Sequence, residues 1–143
     1  MKVIFGSDHA GFSLKETLKV RLGEWGHEVV DVGTHSTEST DYPDWGVKVA
    51  EAMLASPGSV GVAICGSGIG ISIAANKVHG ARAAVVHDET SARLARNHNN
   101  ANISCFGERL IGPLVAEKSL ETFLTATFDG GRHQRRVDKL DQL

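Results

Sequence analysis

Short apolar runs alternate along the chain with segments whose apolar residues recur at helical spacing. Val3–Phe5 is the first run and ends at the polar, glycine-bounded stretch Gly6-Ser7-Asp8-His9-Ala10-Gly11. From Phe12 the period lengthens. Phe12, Leu14, Leu18, Val20, Leu22 and Trp25 mark a helix face, Lys15, Glu16, Lys19 and Arg21 fall between them, and Gly26 supplies a stop. Val29–Gly33 reads as a second strand, and Thr34–Asp44 is polar and aperiodic, hence a loop. Pro43 suits a first helical turn, so a helix runs from there through Val47 to Leu54 before Ser56-Pro57-Gly58-Ser59 breaks it.

Val60–Cys65 is a small-residue, β-branched run fit for a buried parallel strand. It passes through Gly66, Gly68 and Gly70 into a third helix that reaches Lys77. Arg82–Val86 is strand four, and His87–Thr90 leads into a helix through Ala92, Leu94 and Ala95. The asparagine-rich stretch Asn97–Asn102 ends that helix, and Ile103–Gly107 is strand five. Gly112-Pro113 opens a helix to about Thr127 with Leu114, Val115, Leu120, Phe123 and Leu124 as its apolar face. After Asp129-Gly130-Gly131, a basic segment beginning at Arg132 carries a last helical pattern through Val137 and Leu140. Strand and helix alternate five times with short connections, which predicts an α/β fold of three layers, a five-stranded parallel sheet with helices on both faces. Right-handed crossovers put every strand-to-helix loop on one edge, where such sheets bind ligands.

Composition changes this picture little. At 143 residues the chain suits one domain, residues 1–143, and 41% hydrophobic with 22% charged residues is ordinary for a soluble globular protein. A formal net charge of -2 gives no reason to expect nucleic acid or an anionic membrane as partner, and no apolar run is long enough to span a bilayer. Two cysteines without metal-ligand spacing, behind an N-terminus that goes straight into a strand, point to reduced thiols and a cytoplasmic location.

The chemistry concentrates at Cys65-Gly66-Ser67-Gly68-Ile69-Gly70. A strand, a glycine-rich turn and a helix N-terminus leave free backbone amides facing one anion. A cysteine at the last strand position meets that ligand, in an environment that promotes thiol reactivity. The glycines could serve close strand–helix packing alone. Their G-x-G-x-G spacing on the third strand departs from the dinucleotide fingerprint, and Lys77 lies too far on for a nucleotide-triphosphate loop. A cysteine phosphatase loop would place arginine at the position held by Ile71. Cys105, on a strand without such a loop, reads as inert, Asp8 could simply cap the first helix, and His98 could simply face a helix dipole. Arg132 and Arg136 at i, i+4 could present two guanidinium groups to one anion. The histidines show no metal-ligand spacing.

Gly6-Ser7-Asp8-His9-Ala10-Gly11, Thr40-Asp41-Tyr42-Pro43, Ile64–Lys77, Arg96-Asn97-His98-Asn99 and Gly130-Gly131-Arg132-His133-Gln134-x-Arg136 occur in this order. Together they resemble the type B ribose-5-phosphate isomerase family, which includes galactose- and allose-6-phosphate isomerases. The resemblance spans essentially the whole chain. It implies a cofactor-free aldose–ketose isomerase of phosphorylated sugars working through a cis-enediolate. On that resemblance Cys65 is the base and Ser67 assists it. The amides from Gly66 through Gly68 and Ile69 to Gly70 form the enediolate's anion hole. Asp8 and His98 serve sugar binding and ring opening, Asn99 contacts a hydroxyl, and Tyr42 lies near the sugar ring. His9, Arg109, Arg132 and Arg136 hold the phosphate. The resemblance also implies a homodimer or tetramer whose active sites are shared, with the C-terminal helix reaching a partner subunit and with His98 and the C-terminal arginines coming from different subunits. A six-carbon sugar phosphate as substrate, or a non-catalytic binding domain on the same fold, stays open.

Overall fold

The computed structural model describes all 143 residues. Its sheet holds β1 (Lys2–Ser7), β2 (Glu28–Asp31), β3 (Val60–Cys65), β4 (Ala83–Val85) and β5 (Ile103–Gly107) in the order β2-β1-β3-β5-β4, every pair parallel. The helices are α1 (Phe12–Glu24), α2 (Tyr42–Leu54), α3 (Ile69–Asn76), α4 (Glu89–Asn99), α5 (Pro113–Thr125) and α6 (Arg132–Asp141), with a 3₁₀ turn at His9–Gly11. Period-two alternation sorts the strand side chains onto two faces. Val3, Phe5, Val62, Ile64 and Phe106 meet α1, α4 and α5, whereas Ile4, Ala63, Cys65, Ile103 and Cys105 meet α2 and α3. The three layers expected from the alternation are present.

The order of the strands positions the site. From β1 the chain crosses outward to β2 and then returns to pair β3 on the other side of β1. Loops leaving β1 and β3 therefore diverge, and the crevice between them lies beyond the carboxyl ends of adjacent strands. Asp8 and His9 follow β1, and Gly66 and Ser67 follow β3. His87 and Asp88 share the same edge but follow β4, one of the two outermost strands, and do not line that crevice.

Two details depart from the apolar pattern. Lys15, read as a polar position of α1, is fully buried, and Val20 of the same helix is exposed. The Lys15 ammonium donates to both Asp31 oxygens at 2.7 and 2.9 Å and to the Thr34 carbonyl, so its apolar stem fills the core while its charge is paired. In α5 the buried face is Ala116, Ser119, Leu120 and Phe123, and Leu114 and Val115 point outward. Positions 116, 120 and 123 form one helical stripe; 114 and 115 lie off it.

Candidate active site

Cys65 ends β3 with its side chain on the α2/α3 face and is almost wholly buried. The Gly68 amide donates to its Sγ at 3.2 Å. Gly68 adopts φ +76°, and a Cβ there would come within 2.9 Å of the Phe106 carbonyl carbon, so the turn accepts no larger residue without strain. Ser67 Oγ accepts from the Ile69 amide at 3.2 Å, which leaves the hydroxyl proton free to donate elsewhere. Of the five amides expected to cradle an anion, those of Gly68 and Ile69 are thus engaged inside the turn. Those of Gly66, Ser67 and Gly70 have no partner within the chain. They sit where α3 begins, an end without a side-chain cap, and so present unpaired donors.

The wall opposite comes from the β1 loop. Asp8 accepts from the Gly11 amide at 3.1 Å, so it caps the 3₁₀ turn and is itself buried. His9 Nδ1 lies 3.1 Å from the Thr40 amide and 3.2 Å from the Thr40 carbonyl, which leaves Nε2 as its free ring nitrogen. Thr40 is held in turn by the Trp45 indole, whose N–H donates to its hydroxyl at 2.9 Å. The Tyr42 ring lies where a Cβ on Gly70 would be, 2.6 Å from that position. Arg109 follows β5, and its Cδ and Nη1 lie 3.5 Å from where a Cβ on Gly66 would sit. It makes no ion pair within the chain.

Asp8, His9, Tyr42, Cys65, Gly66, Ser67, Gly70 and Arg109 line one cleft of about 380 Å³, together with Ala10 and Leu110. Gly68 is buried beneath that cleft, and Ile69 is exposed beside it. His98, Asn99, Arg132 and Arg136 do not line it; they belong to α4 and α6. Arg132 and Arg136 are exposed and carry no partner in the chain.

On α4 and α6 the structure makes a juxtaposition that sequence spacing hides. The His98 and His133 rings stack with centroids 4.4 Å apart and planes within 10°. Asp129 completes a group whose potential ligand atoms lie within 4.8 Å of one another. The rings lie face to face instead of converging on one point, and Arg132 and Arg136 add positive charge nearby. Burial lowers the His133 pKa, the charges of His98, Arg132 and Arg136 push it the same way, and Asp129 opposes them more weakly. Cys105, by contrast, is fully enclosed, and burial pushes its thiol up, which leaves it inert.

A thiol, a hydroxyl, free amides and an unpaired guanidinium share one crevice at the switch point of a parallel sheet. This is the equipment of an α/β enzyme that removes a proton and stabilises the resulting anion. Residues 3–140 match the Ribose/Galactose Isomerase family, and the chain belongs to that family. It is similar to ribose-5-phosphate isomerase B of Escherichia coli (strain K12), 46% identical over 97% of this chain and 93% of the relative. Among solved structures it is similar to ribose-5-phosphate isomerase B of Clostridium thermocellum, with a TM-score of 0.97, 51% identity and coverage of 99% of this chain and 96% of that one. The Mycoplasma genitalium ribose-5-phosphate isomerase B, solved with bound ribulose-5-phosphate, has a TM-score of 0.94, 40% identity and coverage of 99% and 94%.

Proposed function

We propose that this chain interconverts ribose 5-phosphate and ribulose 5-phosphate through a cis-enediolate, with Cys65 as the base. The observation that carries this reading is Cys65 Sγ at the switch-point cleft, hydrogen-bonded by the Gly68 amide at 3.2 Å, in a member of this isomerase family.

In the opened aldose, Cys65 removes the C2 proton and the electron pair moves onto the carbonyl oxygen at C1. The Gly66, Ser67 and Gly70 amides stabilise that oxygen as charge develops on it. Losing one such donor in comparable sites costs about 2.7–4 kcal/mol of transition-state stabilisation. Return of the proton to C1 yields the ketose, and Ser67 moves a proton between the neighbouring oxygens. Asp8 helps to hold the sugar hydroxyls, and Asn99 contacts another of them. Tyr42 packs near the ring. The phosphate sits away from the glycine turn, with His9, Arg109, Arg132 and Arg136.

His98, Asn99, Arg132 and Arg136 lie outside the cleft of their own chain, and on this reading they enter the site from other subunits of the oligomer. The working unit is a homodimer or a tetramer of such dimers with shared sites, and α6 is the element that reaches across. His98, an imidazole able to change charge near neutrality, opens the sugar ring there. The reaction needs no cofactor and no metal. No helix is long and apolar enough to cross a membrane, and two free cysteines fit a reducing, cytoplasmic compartment.

Incubating the purified chain with ribose 5-phosphate, allose 6-phosphate and galactose 6-phosphate in parallel tests the assignment. Ribulose 5-phosphate is expected as the fastest-formed product. Turnover of only a six-carbon substrate would overturn the choice of sugar, and no turnover of any would overturn the isomerase reading.

A further inference from the structure

Helix α1 begins without the groups that normally satisfy a helix start. Its N-cap is Gly11, which has no side chain, and its first turn holds no acidic residue. The missing acceptor comes from 94 residues further along, where the Glu108 carboxylate accepts from the amide of Leu14 in that first turn. Its negative charge there also opposes the positive end of the helix dipole.

Glu108 is tied to the cleft by its own backbone. The Glu108 amide donates to the Cys65 carbonyl at 3.0 Å, and the next amide, that of Arg109, donates to the Gly66 carbonyl at 3.0 Å. The turn closes with the Leu110 amide on the Gly107 carbonyl at 3.0 Å. Glu108 therefore joins three segments, namely the start of α1 just after Asp8 and His9, the end of β3 at Cys65, and the turn that carries Arg109. Arg109 has no carboxylate partner to orient it, its Cδ and Nη1 lie 3.5 Å from where a Cβ on Gly66 would sit, and the turn sets where its side chain starts.

We infer that Glu108 is a positioning residue, whose carboxylate docked on α1 holds the turn after β5 so that Arg109 stands over the glycine loop and receives the substrate's phosphate. This rests on the isomerase reading above. Without this charge-assisted contact the turn after β5 is freer to shift, and Arg109 then meets the phosphate in a less favourable place. Uniform binding energy lost this way raises KM and leaves kcat in place.

The test compares Glu108→Ala, Glu108→Gln, Arg109→Ala and the double variant Glu108→Ala/Arg109→Ala, with ribose 5-phosphate as substrate. Glu108→Ala is expected to raise KM about tenfold with kcat within about threefold of wild type, and Glu108→Gln, which keeps an acceptor oxygen, to recover most of that loss. The double variant is expected to show the KM of Arg109→Ala alone, because Glu108 acts through Arg109. If Glu108→Ala fails to fold, Glu108→Asp, one methylene short of α1, is read in the same way. A lower Tm with unchanged KM would overturn the inference and leave only a helix cap. Turnover absent from the wild-type chain would overturn the isomerase reading and this inference with it.

Discussion

Gly68 donates its backbone amide to Cys65 Sγ across 3.2 Å, and its φ of +76° turns the chain from that amide into α3. The thiol and the turn are one unit. The donor to the sulfur comes from the residue whose conformation also begins α3.

On the proposed mechanism, replacing the thiol removes the base without removing the scaffold. Cys65→Ala is expected to slow isomerisation by about 10²–10⁴-fold, the range a positioned general base contributes. Its loss of buried volume is small, so stability falls by only about 1 kcal/mol. Turnover of ribose 5-phosphate and thermal unfolding, measured on the same sample, check both halves; near-normal turnover would remove Cys65 from the mechanism.

Two alanines in the glycine turn separate geometry from mere crowding. At Gly68 an added Cβ meets the Phe106 carbonyl carbon at 2.9 Å with the backbone in the left-handed region, so Gly68→Ala costs at least about 1–2 kcal/mol and most of the activity. At Gly66 the nearest atoms lie at 3.5 Å, on the flexible Arg109 side chain, and Gly66→Ala keeps a wild-type Tm. Equal Tm values for the two variants would contradict this account.

Asp31 links stability to acid pH. Burial alone would raise its pKa, but hydrogen bonds from Lys15, Lys19 and the Gly33 amide outweigh that and hold it below 3.8. A carboxylate with a depressed folded pKa contributes stability in full above its unfolded value and loses it as pH falls through the folded one. Unfolding free energy is therefore expected to drop below pH 3.8. Lys15→Met should cost about 3 kcal/mol at neutral pH, the low end for breaking a buried pair, because Asp31 keeps Lys19 at 2.6 Å. The same variant should show a shallower acid dependence in denaturant titrations. An undiminished slope would place the acid sensitivity elsewhere.

The proposed sharing of sites between subunits makes a prediction of a different kind. Cys65→Ala and His98→Asn are each expected to be inactive alone. Unfolded together and refolded, they should recover about a quarter of wild-type activity, since half the dimers are mixed and each mixed dimer holds one intact site. No recovery from a properly refolded mixture would mean that both residues act within one chain.

Much of the fold was legible along the chain, because strand runs and helical runs differ in period and their alternation admits few topologies. The cysteine ahead of three glycines was legible for a similar reason: adjacent residues share one turn, and their chemistry can be judged together. The side chain of Lys15 was not, since its burial depends on a carboxylate sixteen residues away that arrives only when β2 pairs with β1. Nor was the outward turn of Leu114 and Val115, which is set by which stripe of α5 the sheet selects. The order β2-β1-β3-β5-β4, which sets the loop after β1 next to the loop after β3 along that shared edge, is likewise a tertiary fact. So are the stacking of His98 on His133 and the cap that Glu108 lends to α1. Local pattern determined the elements and the reactive turn, because both arise from neighbouring residues. Only the packed chain decided which distant groups face that turn, because pairing between strands and burial of charge are properties of contacts that sequence distance does not encode.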